Sequence, residues 1–528
     1  MLTEICSKEL QTLMQSSELY ALIDVRERTE YNRGQILGAT NVPRRELELR
    51  MPRLVPLLST RIVLYDDDGK RAYLALNTLK KNGYTYVQVL KGGLNAWKEA
   101  GCKLVEGVNV PSKTFGEVIA SRHNINELTP NELKNSLDSG EELIVVEVRP
   151  PEEVEHSGSI PGAINIQGVQ LPLVINDLAA KGKKIVVTCA GRTRGIIAAL
   201  TSYMMDIEVF DLRNGTQGWV LGGFDLQEDI PQGPKPSSKS KQQAEQFVTR
   251  LMETHNFSLV LAEKLETLKQ EKPYFYLFDV RTKEEYASGH VPGSISLPGG
   301  QAIQCADDFI AIRNSTIVFI CDDMIRSVIT AYWFMQMGYK NVHVLSGGIN
   351  AWLESSLELE SGEGNVLPMG FEEAWNKVQK IDTFTLNRQI QDNSKIYLIY
   401  VDDSHKFKDG HIKGSIWLLR SFLEQRIESI VSKKDMPIVL TCSDGINSIL
   451  AASTLMDLGY EDIQVLNGGI KAWQSAGFAL ESGYSGIIDD PDDILPKSHE
   501  RTREQMVKYL SWEEKLYGDP VYMKILTF

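Results

Sequence analysis

The segment GGLNAW at 92–97 recurs as NGTQGW (214–219), GGINAW (347–352) and GGIKAW (468–473), so that Trp97, Trp219, Trp352 and Trp473 mark four copies of one unit. Self-similarity at so long a period constrains the fold more than any local propensity does, because each copy must be a structural unit in its own right. Upstream of the tryptophans run LIDVRERTEY, VVEVRPPEEV, LFDVRTKEEY and the divergent LIYVDDSHKF, followed by the turns GQILGA, GSIPGA, GHVPGS and GHIKGS. Asp24, Glu147, Asp279 and Tyr400 are equivalent, and 42 residues beyond them lie Asp66, Cys189, Cys321 and Cys442. That interval is constant although the connectors differ. Each copy is therefore a domain of about a hundred residues, and a chain of 528 residues accommodates four of them.

Within copy one, YALIDV, RIVLYD and VQVL read as buried strands, whereas RAYLALNTLKKNG and GLNAWKEAG read as helices. Strands alternating with helices imply an α/β fold: four tandem domains, each a small parallel sheet flanked by helices on both faces. Copy one spans 1–108, copy two 109–230, copy three 251–362 and copy four 363–485. VNVPSKTFGEV, between copies one and two, reads as an extended connector. The Pro-, Ser- and Lys-rich stretch 231–250 reads as a flexible linker dividing the chain into two halves of two domains each. Residues 486–528 form an acidic turn and then a helix whose stripe of Met506, Tyr509, Leu510 and Leu516 is expected to dock on a neighbouring domain.

A net charge of −14 with no strongly basic segment argues against a nucleic-acid partner. No apolar run approaches the ~20 residues needed to span a bilayer, and the first residues lack a signal-peptide pattern, so the expected location is cytoplasmic. Cys6, Cys102, Cys189, Cys305, Cys321 and Cys442 are scattered, with no C-x-x-C pair or His–Cys cluster. Neither a metal site nor a cofactor is expected.

The DVR strand ends, the GHVPGS turn, the C-x4-R loop and the GG-x-x-x-W segment together resemble the rhodanese domain, a sulfurtransferase module that carries a sulfane sulfur on cysteine. The array is similar to the bacterial tandem four-domain members of that family. The resemblance implies a thiosulfate sulfurtransferase that moves sulfur through a cysteine persulfide to a small thiol or cyanide. Its partners would be a small-molecule sulfur donor and a thiol acceptor. The sequence leaves open a homo-oligomer or a partner enzyme of thiol oxidation, a persulfide carrier or scaffold without turnover, and a cysteine-based phosphatase or arsenate reductase.

The four loops differ where the chemistry would occur. Copy one reads DDDGKR, with Asp66 in the nucleophile slot and Arg71 at its end. Copy two reads CAGRTR, and its expected site comprises Cys189 with Ala190, Gly191, Arg192, Thr193, Arg194 and Gly195. Copy three, CDDMIR, offers Cys321 and Arg326 as a second site, with Asp322 and Asp323 opposing an anion. Copy four, CSDGIN, keeps Cys442 but ends in Asn447 and reads as a remnant. A free thiol titrates near ~8.5, and a helix N-terminus with adjacent cations lowers that value. Arg192 and Arg194 should therefore make copy two the seat for thiosulfate, a dianion. The tryptophans are expected to be core anchors, Arg26, Arg149 and Arg281 structural ion-pair formers, and His290 and His411 turn stabilisers.

Overall fold

The computed structural model describes residues 3–271, 275–364 and 366–523. Each copy folds around a parallel five-stranded sheet. In copy two the strand order across the sheet is Glu127–Leu128, Phe210–Leu212, Lys184–Thr188, Leu143–Glu147 and Ile164–Asn165. Copy three repeats that order with Ser258–Val260, Val342–Leu345, Thr316–Ile320, Phe275–Asp279 and Ile295–Ser296. The register explains the constant interval. Glu147 lies opposite Thr188, Asp279 opposite Ile320, Asp24 opposite Tyr65 and Tyr400 opposite Thr441, so the slot residue follows directly in every copy. Central parallel strands are buried on both faces, hence the continuous apolar runs LIVV, TIVFI and IVLT.

The second residue of each Gly-Gly or Asn-Gly pair explains the repeated motif. Gly93, Gly215, Gly348 and Gly469 all have φ between 53° and 62°, and a Cβ there would collide with the carbonyl oxygen of the slot residue. The amide that follows donates to that same carbonyl, as Thr216 does to Cys189 at 2.8 Å. Only glycine combines the left-handed conformation with so close an approach. The tryptophans are buried, and each indole N–H donates to a carbonyl six residues further on, Trp219 to Asp225 at 2.9 Å.

Three expectations about the connections need correction. First, the chain divides into two compact units that do not follow the order of the copies: copies one and four form one unit, and copies two and three the other, joined by residues 496–528. Second, 231–250 is not a flexible linker throughout. Ser237 caps a helix, Ser238–Thr254, whose Ala244, Phe247, Val248 and Leu251 are buried against the helices Leu171–Ala179 and Ile325–Gln336. The spacing of those four residues is helical, and burying them outweighs the flexible composition around them. Third, the stretch read as an extended connector is a helix, Val110–His123, beginning with Pro111 in its first turn. It buries Lys113 and Glu117 as well as apolar residues, so no amphipathic stripe betrays it. Gly116 lets it approach Thr193.

The segment Arg503–Lys515 is helical and buries Met506 and Leu510, with Leu516 just beyond its end, against copy two. Among the described residues no helix is long and apolar enough to cross a membrane.

Candidate active site

Copy two brings the expected residues to one point. The strand Lys184–Thr188 ends at Cys189, and the helix Thr193–Tyr203 begins four residues later, so the loop faces a helix N-terminus. Cys189 is 3% exposed. Its thiol receives the Gly191 N–H and feels the Arg194 guanidinium, both of which favour the thiolate. Burial outweighs them and, with Asp211 and Glu147 adding negative charge, pushes the thiol up to about 11. The expectation of a thiol lowered by its loop is thus reversed, with burial as the main cause.

Neither guanidinium is free. Arg194 makes a two-pronged pair with Glu153 at 2.7 and 2.9 Å. Arg192 donates Nε to Glu117 at 2.6 Å and lies 3.4 Å from Glu127. The Arg194–Glu153 pair recurs as Arg71–Glu30 and Arg326–Glu285, each 41 residues apart. Glu153 was findable in the sequence by the same spacing, since the second Glu of PPEEV aligns with that of TKEEY. Arg149 is buried on Glu147 and the Gly158 carbonyl, as Arg26 is on Asp24 and Gly34, and Arg281 on Asp279 and Gly289. These three are structural. Glu147, longer than the Asp of copies one and three, also accepts the Ser159 hydroxyl at 2.6 Å. His290 stacks on Tyr286 and His411 on Phe407, each ring nitrogen meeting the carbonyl four residues back within its turn.

The C-terminal helix supplies a wall that the sequence does not announce. Glu513 is 1% exposed; its Oε1 accepts from Thr193 at 3.3 Å and lies 3.4 Å from Lys113 Nζ. Its Oε2 and the Tyr509 ring flank Gly191. Arg501 covers Tyr509 and donates to Gln217, whose amide donates to the Ala190 carbonyl. A carboxylate stands beside the loop expected to receive an anion.

The other loops are built differently. In copy one, Asp66 accepts the amides of Gly69 and Arg71, so its own carboxylate occupies the position an anion would take. In copy three, Cys321 meets the Ser327 hydroxyl at 3.3 Å and its N–H at 3.4 Å. Arg326 is clamped by Glu285 and Asp322, and Asp323 pairs with Lys241. A cavity of about 300 Å3 opens there, lined by Asp322, Asp323, Arg326, Lys241, Gln170 and Gln232 among others. In copy four, Cys442 receives Gly445 and Ser448 amides and the Ser448 hydroxyl, while Asn447 turns to Asp402. Burial and Asp402 push that thiol up to about 11. Among the described residues no cluster of three or more His, Cys, Asp or Glu is placed to hold a metal ion.

Comparison with known proteins places these loops in context. The rhodanese-like domain matches four times, at residues 7–100, 129–221, 261–355 and 385–476. A crystal structure of thiosulfate sulfurtransferase from Pseudomonas aeruginosa superposes with a TM-score of 0.91 at 31% identity, covering 100% of this chain and 99% of that one. Single-domain relatives match one copy. The thiosulfate sulfurtransferase GlpE of Shewanella oneidensis is 32% identical over 88 residues, 17% of this chain and 85% of the relative. An uncharacterized protein, YqhL of Bacillus subtilis, is 41% identical over 76 residues, 14% of this chain and 59% of its own length.

Proposed function

Since the chain belongs to the rhodanese-like domain family, we propose that it is a sulfurtransferase whose working centre is copy two, with thiosulfate as donor and a small thiol as acceptor. The observation that carries this reading is that copy two alone joins a buried slot cysteine to a loop ending in arginine with no acidic residue on the loop itself. Copy one lacks the sulfur and copy four lacks the arginine. The name of the Pseudomonas aeruginosa protein, similar over the whole length, supports thiosulfate as the donor.

The reaction has two halves. Cys189 sulfur attacks the outer sulfur of thiosulfate; the donor's S–S bond breaks, its electron pair leaves on sulfite, and Cys189 becomes a persulfide. An acceptor thiolate then attacks the outer sulfur and releases Cys189. The groups that would hold the departing sulfite's charge are the backbone amides of the loop and the Arg194 guanidinium. Copy three, with Asp322 and Asp323 on its loop, is the weaker site for an anionic donor.

The test is to incubate the protein with thiosulfate and map added sulfur by peptide mass spectrometry. One extra sulfur atom on Cys189, absent in Cys189→Ser together with thiosulfate consumption, is the expected outcome. Sulfur found only on Cys321 or Cys442, or consumption that survives Cys189→Ser, overturns the assignment.

A further inference from the structure

The four copies act as controls for one another at a position beneath the thiol. Eight residues before each tryptophan stand Val89, Asp211, Val344 and Val465. All four are buried. Their registers agree, each lying opposite the residue two before the slot: Val89 on Leu64, Asp211 on Val187, Val344 on Phe319 and Val465 on Leu440. Copy two alone places a carboxyl in this apolar layer.

A second difference accompanies the first. Six residues after the slot stand Ala72, Gly195, Ser327 and Ser448. In copies three and four that serine hydroxyl reaches the cysteine sulfur at 3.3 and 3.2 Å. Gly195 has no side chain, and a Cβ built there would run into Asp211 Oδ1. The carboxyl therefore fills the space next to the loop helix from which copies three and four present a hydroxyl to sulfur. Asp211 is 1% exposed and its Oδ2 has no hydrogen-bond partner. The charged groups around it are Arg192 on the loop, Glu117 on the helix Val110–His123, Glu127 on the adjacent strand, and Cys189 itself. Burial, with Glu127 and Glu117 adding to it, raises this carboxyl well above the ordinary carboxylate range, while Arg192 opposes. A carboxyl group buried and raised in this way is of the kind that proteins use to take up and return a proton.

We propose that Asp211 is the proton acceptor for Cys189, the group through which the buried thiol surrenders its proton when its sulfur attacks. The Cys189 S–H proton passes to the Asp211 carboxylate as the new S–S bond forms and the donor's electron pair departs on sulfite. On discharge, the Cys189 thiolate released by the acceptor takes that proton back. The sulfur steps rest on the proposed function, but the proton relation between the two side chains does not.

The experiment therefore uses a probe unrelated to sulfur transfer: the alkylation rate of Cys189 by iodoacetamide, followed by peptide mass spectrometry from about pH 5 to pH 10. Asp211→Asn should slow alkylation near pH 7 about tenfold, the difference narrowing towards pH 10, where hydroxide competes for the same proton. Asp211→Val combined with Gly195→Ala, which reproduces copy one, should show the same loss with its thermal midpoint retained. An unchanged or faster rate near pH 7 in these variants overturns the proposal, since simply removing a negative neighbour would accelerate alkylation. A wild-type protein that reacts no faster at neutral pH than an unassisted thiol titrating near 11 overturns it too. Normal alkylation behaviour with no persulfide would instead refute the sulfurtransferase reading alone.

Discussion

Copies one and two share a backbone and differ in what sits at the centre of the loop. In copy one the Asp66 carboxylate accepts the Gly69 and Arg71 amides, and Arg71 is held by Glu30. In copy two the same turn surrounds a sulfur, and Arg194 is held by Glu153. The turn is thus a receptor for negative charge in both copies. Copy one satisfies it permanently from within, whereas copy two leaves it to a thiolate. The lesson is that the loop's donors do not by themselves make a reactive centre; the slot residue decides whether they stabilise structure or chemistry.

The most severe way to erase the difference is Cys189→Asp, which gives copy two the slot of copy one. Thiosulfate consumption should fall by at least about a thousandfold, measured as sulfite release. The reciprocal change, Asp66→Cys in a Cys189→Ser background, should move the sulfur-accepting residue to copy one, detected as one added sulfur on the copy one peptide; no adduct would mean that more than the slot residue separates the copies. Arg194→Ala should reduce turnover about a hundredfold by removing the cation that favours the thiolate. It should also lower unfolding free energy by about 2 kcal/mol, because Glu153 loses its two-pronged partner and keeps only Arg149, 3.7 Å away. Glu513→Gln, which takes a buried negative charge from beside the loop without touching the sulfur, should lower the KM for thiosulfate roughly threefold.

The smallest effect concerns acid. Burial would raise the carboxyls of Glu30, Glu153 and Glu285, but the partner arginines outweigh it and hold all three below the ordinary value of 4.5. A depressed native value means the stabilisation is present above the unfolded pKa and is lost as pH falls through the folded one. Melting midpoints should therefore drop by about 2–4 °C on acidification below that range, and less in a Glu153→Gln variant, as followed by calorimetry.

The architecture was legible because the repeat carries several independent marks. Four Gly-Gly-like pairs, four tryptophans and one constant interval all follow from the strand register and the approach of Gly215 and its equivalents to the slot carbonyl. The loop residues Cys189 to Gly195 were legible for the same reason. Their electrostatics were not. Counting Arg192 and Arg194 as free charges ignored Glu117, Glu127 and Glu153, two of which come from elements outside the loop's own motif. Lys113 and Glu117 are hydrophilic yet buried, and patterning cannot reveal a polar residue buried because a partner meets it. Glu513 lies more than three hundred residues from Thr193, to which it bonds, and no spacing links the two. Asp211 was legible in principle: VFDL against VQVL, VHVL and IQVL shows a carboxyl where a core valine belongs.

The order in which the chain builds its units has a consequence for its birth on the ribosome. Copy one shares a unit with residues 366–495, so its partner surface does not exist until residues 108–365, which belong to the other unit, have been translated. At about 5–20 residues per second that delay is on the order of tens of seconds. During it the nascent copy one must persist unpartnered, with Arg45 and Glu27 still lacking the Ser421 contacts that bury them later. Chaperone binding and protease sensitivity of stalled nascent chains should concentrate in that interval and end once copy four emerges.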